Sequence, residues 1–215
     1  MLNRDYKIFA AGNYYHAFNR GNGKNDIFRD LQDYGIFIRR IKENFFPEEE
    51  RSQPLTSTDI KYKRKKLPSG AFSLICYCLM PNHFHFLIRQ NSQIKISKLI
   101  QKICTGYAAY FAKKYSHTGH LFQGTFKAIP VDNEAYLSWL SAYIHQNPTV
   151  AGIVKKPEEY QFSSYRDYLD LRKGTLCDKA PILGKFKNTD EYKHFVEGSG
   201  PLIKEHKAVQ ALLLD

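Results

Sequence analysis

The strongest constraint on the fold is a pair of apolar runs separated by one short break. AFSLICYCLM (71–80) and HFHFLIRQ (83–90) are interrupted only by Pro81 and Asn82. Apolar runs of this length predict strands, and a Pro-Asn break between them predicts a tight turn. The sequence therefore predicts a strand pair, around which the other elements have to pack.

A strand and a helix are predicted before this pair. The run NYYHAFNR (13–20) alternates and carries aromatic residues, which is typical of a strand, and GNGKND after it predicts a loop. The segment DLQDYGIFIRRIKENFF, which begins at Asp30, predicts an amphipathic helix. Its apolar residues at helical spacing are Leu31, Tyr34, Ile38 and Ile41.

After the pair, the pattern predicts a helix, a strand and another helix. Residues 97–115 form the amphipathic helix, with Ser97 as its cap, and residues 124–132 form the strand. Asn133 caps the last helix, EAYLSWLSAYIHQN, which should end near Pro148. The first six elements match an α+β fold, a ferredoxin-like split βαβ sandwich with an antiparallel sheet.

The chain divides into a core and an extension. Residues 1–150 should form one domain, with a charged insertion at about 47–70 that contains the run KYKRKK. Residues 151–215 should form C-terminal helices, packed on the core or appended to it. The segments QFSSYRDYLDLRKG and NTDEYKHFVEG predict short helices there.

The overall charge favours an anionic partner. The chain carries 32 Lys and Arg against 21 Asp and Glu, a net charge of +11, so nucleic acid is the first candidate and an anionic membrane the second. No stretch approaches the roughly 18 apolar residues of a membrane span, and the first residues resemble no signal peptide. We expect a cytoplasmic protein. No pair of CxxC motifs predicts a structural zinc site.

Two histidines stand one residue apart in PNHFHFLI. In a strand, alternate side chains share a face, so His83 and His85 point one way while Phe84 and Phe86 point the other. Such a pair either binds a metal or consists of polar residues on a wet face.

The last predicted helix offers two partners for the histidines. Tyr143 and Asn147 are four residues apart and lie on nearly the same face of a helix. Asn147 could add an oxygen ligand, and Tyr143 would sit one turn away. Their ordinary explanations are a core aromatic residue and the residue before a helix-ending proline.

A resemblance gives these residues roles. PNHFHFLI, SKLIQKICTGYAAYFAKKY, GHLFQGTFKAIPVD, YIHQNPTVAGIV and YQFSSYRDYL, in this order and spacing, are similar to motifs of the single-tyrosine HUH transposases of insertion sequences. The chain resembles above all their REP-associated tyrosine transposase relatives, over residues 13–170. The resemblance implies the ferredoxin-like fold, His83, His85 and Asn147 as ligands of a divalent metal, Mg²⁺ or Mn²⁺, and Tyr143 as the nucleophile. Imidazole ligands by themselves suit zinc and other transition metals.

The activity so implied is cleavage and rejoining of single-stranded or hairpin DNA through a 5′-phosphotyrosine, by a monomer or a homodimer. One alternative is a catalytically inactive protein that binds DNA or RNA hairpins, and another is a zinc-dependent hydrolase. Tyr107 and Tyr110, on the second helix, are expected in the core, as is Tyr165. His145 should face away from Tyr143, and His16 could line the sheet face.

Basic side chains are the candidate DNA contacts. A charge run in a loop is also compatible with simple solvation, and aromatic side chains could stack on unpaired bases. The candidates are Arg20, Arg89, Lys127, Lys61, Lys63, Arg64, Lys65 and Lys66.

Overall fold

Four antiparallel strands form the centre of the protein. The computed structural model describes residues 9–47 and 66–212, the last seven of these without side chains. The strands are β1 (Tyr14–Arg20), β2 (Phe72–Met80), β3 (His83–Gln90) and β4 (Lys127–Val131). Their order in the sheet is β2-β3-β1-β4, and each neighbouring pair is antiparallel. The hairpin predicted around Pro81 and Asn82 is formed by β2 and β3.

Helices cover both faces of the sheet. They are α1 (Leu31–Phe45), α2 (Ile96–Tyr115), α3 (Glu134–Val150), α4 (Tyr165–Tyr168), α5 (Ala180–Leu183) and α6 (Thr189–Leu212). The first six of the major elements follow one another as strand, helix, strand, strand, helix, strand. The predicted ferredoxin-like sandwich with C-terminal helices is therefore confirmed. No helix of the described residues is both long and apolar enough to span a bilayer.

Strand alternation divides the core into two layers. Phe84, Phe86 and Ile88 of β3 pack with α1 and α2 in one cluster, and Leu87 packs with α3 in the other. Since side chains of a strand alternate between faces, His83 and His85 share the α3 face with Leu87. The position of α3 therefore decides what these histidines meet.

Polar side chains define where the helices begin. Asn133 accepts a hydrogen bond from the Tyr136 amide at 2.7 Å, which confirms the predicted cap of α3. The predicted cap of α2 is wrong, because α2 begins at Ile96, one residue before Ser97. The Ile96 amide instead donates to Oε1 of Gln90, at the end of β3, at 3.1 Å. The Gln90 side chain of β3 therefore caps the N-terminus of α2.

Two other details differ from the sequence pattern. Leu31, predicted on the buried stripe of α1, is 70% exposed, because it lies in the first turn beyond the edge of the core. Helix α3 continues through Pro148 to Val150. Pro148 has no amide hydrogen to donate within the helix, but the turn after it is intact, since the Ala151 amide donates to the Asn147 carbonyl at 3.0 Å.

The segment 161–178 runs along the free edge of β2. The Leu79 amide donates to the Phe162 carbonyl at 2.9 Å, and the Ser164 amide donates to the Tyr77 carbonyl at 3.0 Å. Beyond this segment, α6 packs along α3. Helix α3 is thus enclosed between the sheet and the C-terminal helix.

Candidate active site

The strand register brings side chains of β1 and β3 together beneath α3. His85 lies opposite Phe18, and His83 lies opposite Arg20. Opposed residues of an antiparallel pair point to the same face, so all four side chains are on the α3 side. His85 is only 6% exposed, whereas His83 is half-buried.

The Tyr143 side chain of α3 contacts this cluster. Its ring meets that of His85 edge-on, with 5.8 Å between the ring centroids, and meets that of His16 edge-on at 6.0 Å. On its other side it stacks with Trp139 at 5.5 Å. The structure therefore places the predicted nucleophile beside one of the two predicted histidine ligands.

Each of the three predicted ligands carries a hydrogen bond that orients it. Asn82 Oδ1 lies 2.6 Å from Nδ1 of His83. An amide oxygen only accepts hydrogen bonds, so Nδ1 of His83 carries a proton, and in a neutral ring Nε2 is the nitrogen with the lone pair. Asn147 donates from Nδ2 to the Tyr143 carbonyl at 2.8 Å, so an oxygen ligand from Asn147 would be its Oδ1.

His16 provides the matching contact for His85. Nε2 of His16 and Nδ1 of His85 are 2.9 Å apart, and the two rings are stacked with centroids 5.1 Å apart. Burial lowers the pKa of His16 to about 3, so this ring is neutral at physiological pH. The sequence pattern placed His16 on the sheet face without giving it a partner. Alternation along β1 was the available signal, and only the register of β1 against β3 identifies His85.

The donor set fits a divalent metal only when Asn147 is included. In residues 9–47 and 66–212, no three His, Cys, Asp or Glu side chains gather in a way that would hold a metal ion. Two imidazole nitrogens and one neutral amide oxygen, each oriented by a hydrogen bond, would form a three-ligand site with further positions open.

The surroundings of Tyr143 disfavour its ionised form. Burial, together with the nearby Tyr136, raises the pKa of the Tyr143 phenol above its usual value. A buried neutral phenol is a weak nucleophile. Chemistry at Tyr143 would need a positive charge nearby to stabilise the phenolate.

Two of the predicted basic contacts, Arg20 and Lys127, lie close to His83 and His85. Arg20 lies opposite His83, where its Nε donates to Oε1 of Gln123, and Lys127 lies opposite Phe18. Arg89 lies near the other end of β3, six residues or about 20 Å from His83, with its guanidinium over the ring of Tyr14.

Of the predicted basic contacts in the charged insertion, Lys66 lies among the described residues. Lys66 is exposed and donates to the Pro47 carbonyl at 3.0 Å. Lys61, Lys63, Arg64 and Lys65 lie outside the described residues.

Tyr107 and Tyr110 lie in the layer of the sandwich on the other side of the sheet from α3. Tyr107 is fully buried, and its hydroxyl donates to the Ile27 carbonyl. Burial raises its pKa far above the usual range. The Tyr110 hydroxyl donates to Asp33 at 2.9 Å. Both side chains act in packing, separated from His83 and His85 by the sheet.

His145 lies two residues beyond Tyr143 but faces away from it. Its Nε2 lies 2.8 Å from Oγ of Ser164, and its Nδ1 lies 2.8 Å from the hydroxyl of Tyr192. Complete burial lowers its pKa to about 3. His145 therefore connects α3 to the segment along β2 and to α6, with no contact to the reacting side of the helix.

The fold of this chain resembles that of a solved structure. A structure of a REP-associated tyrosine transposase bound to a REP hairpin matches with a TM-score of 0.58 and 15% identity, over 79% of this chain and 86% of that one. A putative transposase from Deinococcus radiodurans matches with a TM-score of 0.38 and 14% identity, over 68% of this chain and 96% of that one. No curated protein matches the sequence.

The family comparison covers the segment that carries the site. The model for IS200-like transposases matches residues 50–147, which include both histidines of β3, Tyr143 and Asn147. Over these residues, the chain is similar to IS200-like transposases.

Proposed function

We propose that the protein cleaves and rejoins single-stranded DNA at hairpins, with Tyr143 as the nucleophile and a divalent metal held by His83, His85 and Asn147. The observation that carries the proposal is the position of Tyr143 against His85, with 5.8 Å between the ring centroids. The match to the model for IS200-like transposases supports action on DNA. The oriented ligand atoms support metal dependence.

The reaction is a transfer of one phosphoester bond. The phenolate oxygen of Tyr143 attacks the scissile phosphorus, and the bond from phosphorus to the 3′ oxygen breaks. The leaving 3′ oxygen takes up a proton, and the DNA 5′ end stays on the protein as a phosphotyrosine. A second 3′-OH can reverse the step on a new strand, because the phosphoester is retained.

A bound divalent ion would neutralise charge on the scissile phosphate and favour the ionised phenol. His83 and His85 would hold it through Nε2, and Asn147 through Oδ1. Mg²⁺ and Mn²⁺ remain the proposed ions. Tyr143 is positioned by its contacts with His16, His85 and Trp139.

The proposed substrate follows from the fold neighbour and from local charge. The matched REP-associated tyrosine transposase was solved with a REP hairpin. In this chain, Arg20 and Lys127 stand beside the candidate site and would contact DNA phosphates. Aromatic side chains near Tyr143 favour an unpaired strand over a duplex.

Covalent capture tests the reaction directly. The protein would be mixed with Mn²⁺ and a library of single-stranded DNA hairpins with 5′ extensions, and denaturing gels would be run for a protein-linked DNA band. We expect an adduct with the unchanged protein that is lost on chelation and in Tyr143→Phe. Tyr136→Phe is the matched control, since it removes a hydroxyl two turns away on the same helix.

Other outcomes point to other functions. An adduct that persists in Tyr143→Phe would move the nucleophile to another residue. Cleavage without an adduct would favour a metal-dependent hydrolase. Hairpin binding with neither cleavage nor adduct, across a library that contains the native hairpin, would favour an inactive binding protein.

A further inference from the structure

We propose that His16 is a positioning residue that holds His85 in the tautomer able to bind a metal. The inference rests on the proposed function, since it concerns the metal site. It follows from the hydrogen bond between Nε2 of His16 and Nδ1 of His85, 2.9 Å long and buried.

Two proton arrangements are compatible with this bond. Either His85 donates from Nδ1 to His16, or His16 donates from Nε2 to His85. In the first arrangement, His85 keeps a lone pair on Nε2. In the second, a neutral His85 carries its proton on Nε2 and cannot ligate through either nitrogen. Metal binding by His85 therefore requires His16 to be the acceptor.

Packing holds the His16 ring in place for this role. His16 is 5% exposed, and it contacts Phe18 with ring centroids 4.7 Å apart and Tyr143 at 6.0 Å. The contacts come from β1, β3 and α3 together. A ring held from three elements presents Nε2 to His85 at a constant angle. In metal sites, a ligating histidine usually donates its other ring N–H to an acceptor that fixes its tautomer and orientation.

Direct binding of Mn²⁺, followed by electron paramagnetic resonance, tests the inference without any cleavage assay. His16→Phe keeps a planar ring but removes the acceptor, and His16→Gln restores an acceptor oxygen. We expect His16→Phe to weaken Mn²⁺ binding by about 10- to 100-fold and His16→Gln to recover much of that loss. Phe18→Leu is the control, because Phe18 contacts both histidine rings without a hydrogen bond.

A second readout identifies which ring nitrogen of His85 carries the proton. Long-range ¹⁵N correlation spectra of the metal-free protein should show His85 protonated at Nδ1, and His16→Phe should show a mixture of the two tautomers. This measurement also detects a variant that has lost its fold.

The inference fails if folded His16→Phe binds Mn²⁺ as tightly as the unchanged protein. It also fails if His16→Gln and His16→Phe lose binding equally, since His16 would then itself be a ligand. Absence of Mn²⁺ binding in the unchanged protein would instead contradict the proposed metal dependence. In that case the tautomer spectrum still decides whether His16 is the acceptor.

Discussion

At the scale of single residues, the packing around Tyr143 both fixes the position of its ring and disfavours ionisation of its phenol. It is packed among rings that define its direction, and the same packing raises its pKa. At neutral pH the phenol therefore keeps its proton, and only a small fraction is ionised. The packing that positions Tyr143 also lowers its reactivity, and in the proposed mechanism a bound cation would offset this.

The pH dependence of cleavage follows from this raised pKa. Below the pKa of the phenol, the ionised fraction rises about tenfold per pH unit. We expect the single-turnover rate of adduct formation, at saturating Mn²⁺, to rise with pH at about that slope between roughly pH 6 and 8. A rate that is flat across this range, with Mn²⁺ saturation verified at each pH, would show that loss of the phenol proton does not limit the step.

At the scale of elements, one face of α3 carries a row of aromatic rings that ends at Tyr143. Tyr136 stacks with Trp139 at 5.9 Å, and Trp139 stacks with Tyr143 at 5.5 Å. All three rings are half-buried. Across from them, Ile129 of β4 is 44% exposed and lies opposite His16 on the same face of the sheet. An unpaired strand approaching Tyr143 would pass these apolar surfaces.

Trp139 can report such a strand, because it is the single tryptophan of the chain. We expect titration of Tyr143→Phe with single-stranded DNA to quench the tryptophan fluorescence. Base contacts of this kind contribute about 1–3 kcal/mol, so Trp139→Leu should weaken binding of labelled DNA about tenfold, and Trp139→Phe less. Tight DNA binding without quenching would place the strand elsewhere on the protein.

The sequence predicted the elements well and their contacts less well. Alternation in HFHFLIRQ and the cap at Asn133 are local signals, and both were sufficient to place β3 and the start of α3. The cap of α2 could not be predicted in this way, because Gln90 belongs to the strand before it. The partner of His16 likewise depends on how β1 and β3 are aligned, which is a property of the assembled sheet.

At the scale of the whole molecule, a buried polar network connects three parts of the chain. His145 bonds Ser164 and Tyr192, Tyr192 donates to Ser141 at 3.1 Å, and Ser164 accepts from the Tyr77 amide at 2.9 Å. These contacts join α3, α6 and β2. Satisfied buried networks of this kind favour one arrangement of the elements over others.

Replacing His145 should reveal how much this network stabilises the fold. In His145→Phe, Ser164 and Tyr192 each lose one buried hydrogen bond but keep their bonds to Tyr77 and Ser141. A hydrogen bond contributes about 0.5–1.5 kcal/mol net, so we expect the free energy of unfolding in urea to fall by roughly 1–3 kcal/mol. His194→Phe is the control, since His194 is exposed on α6. Equal stability of the two variants would show that the network adds little.

The back of α3 also sets the rotation of that helix about its own axis. Successive residues of an α-helix are turned by about 100°, so His145 points about 160° away from Tyr143 when measured the shorter way round. Because Ser164 and Tyr192 hold His145 on the side of α3 opposite Tyr143, the helix cannot rotate about its axis, and the Tyr143 phenol stays directed at His85. Ser164 and Tyr192 both lie after residue 147, where the family match ends.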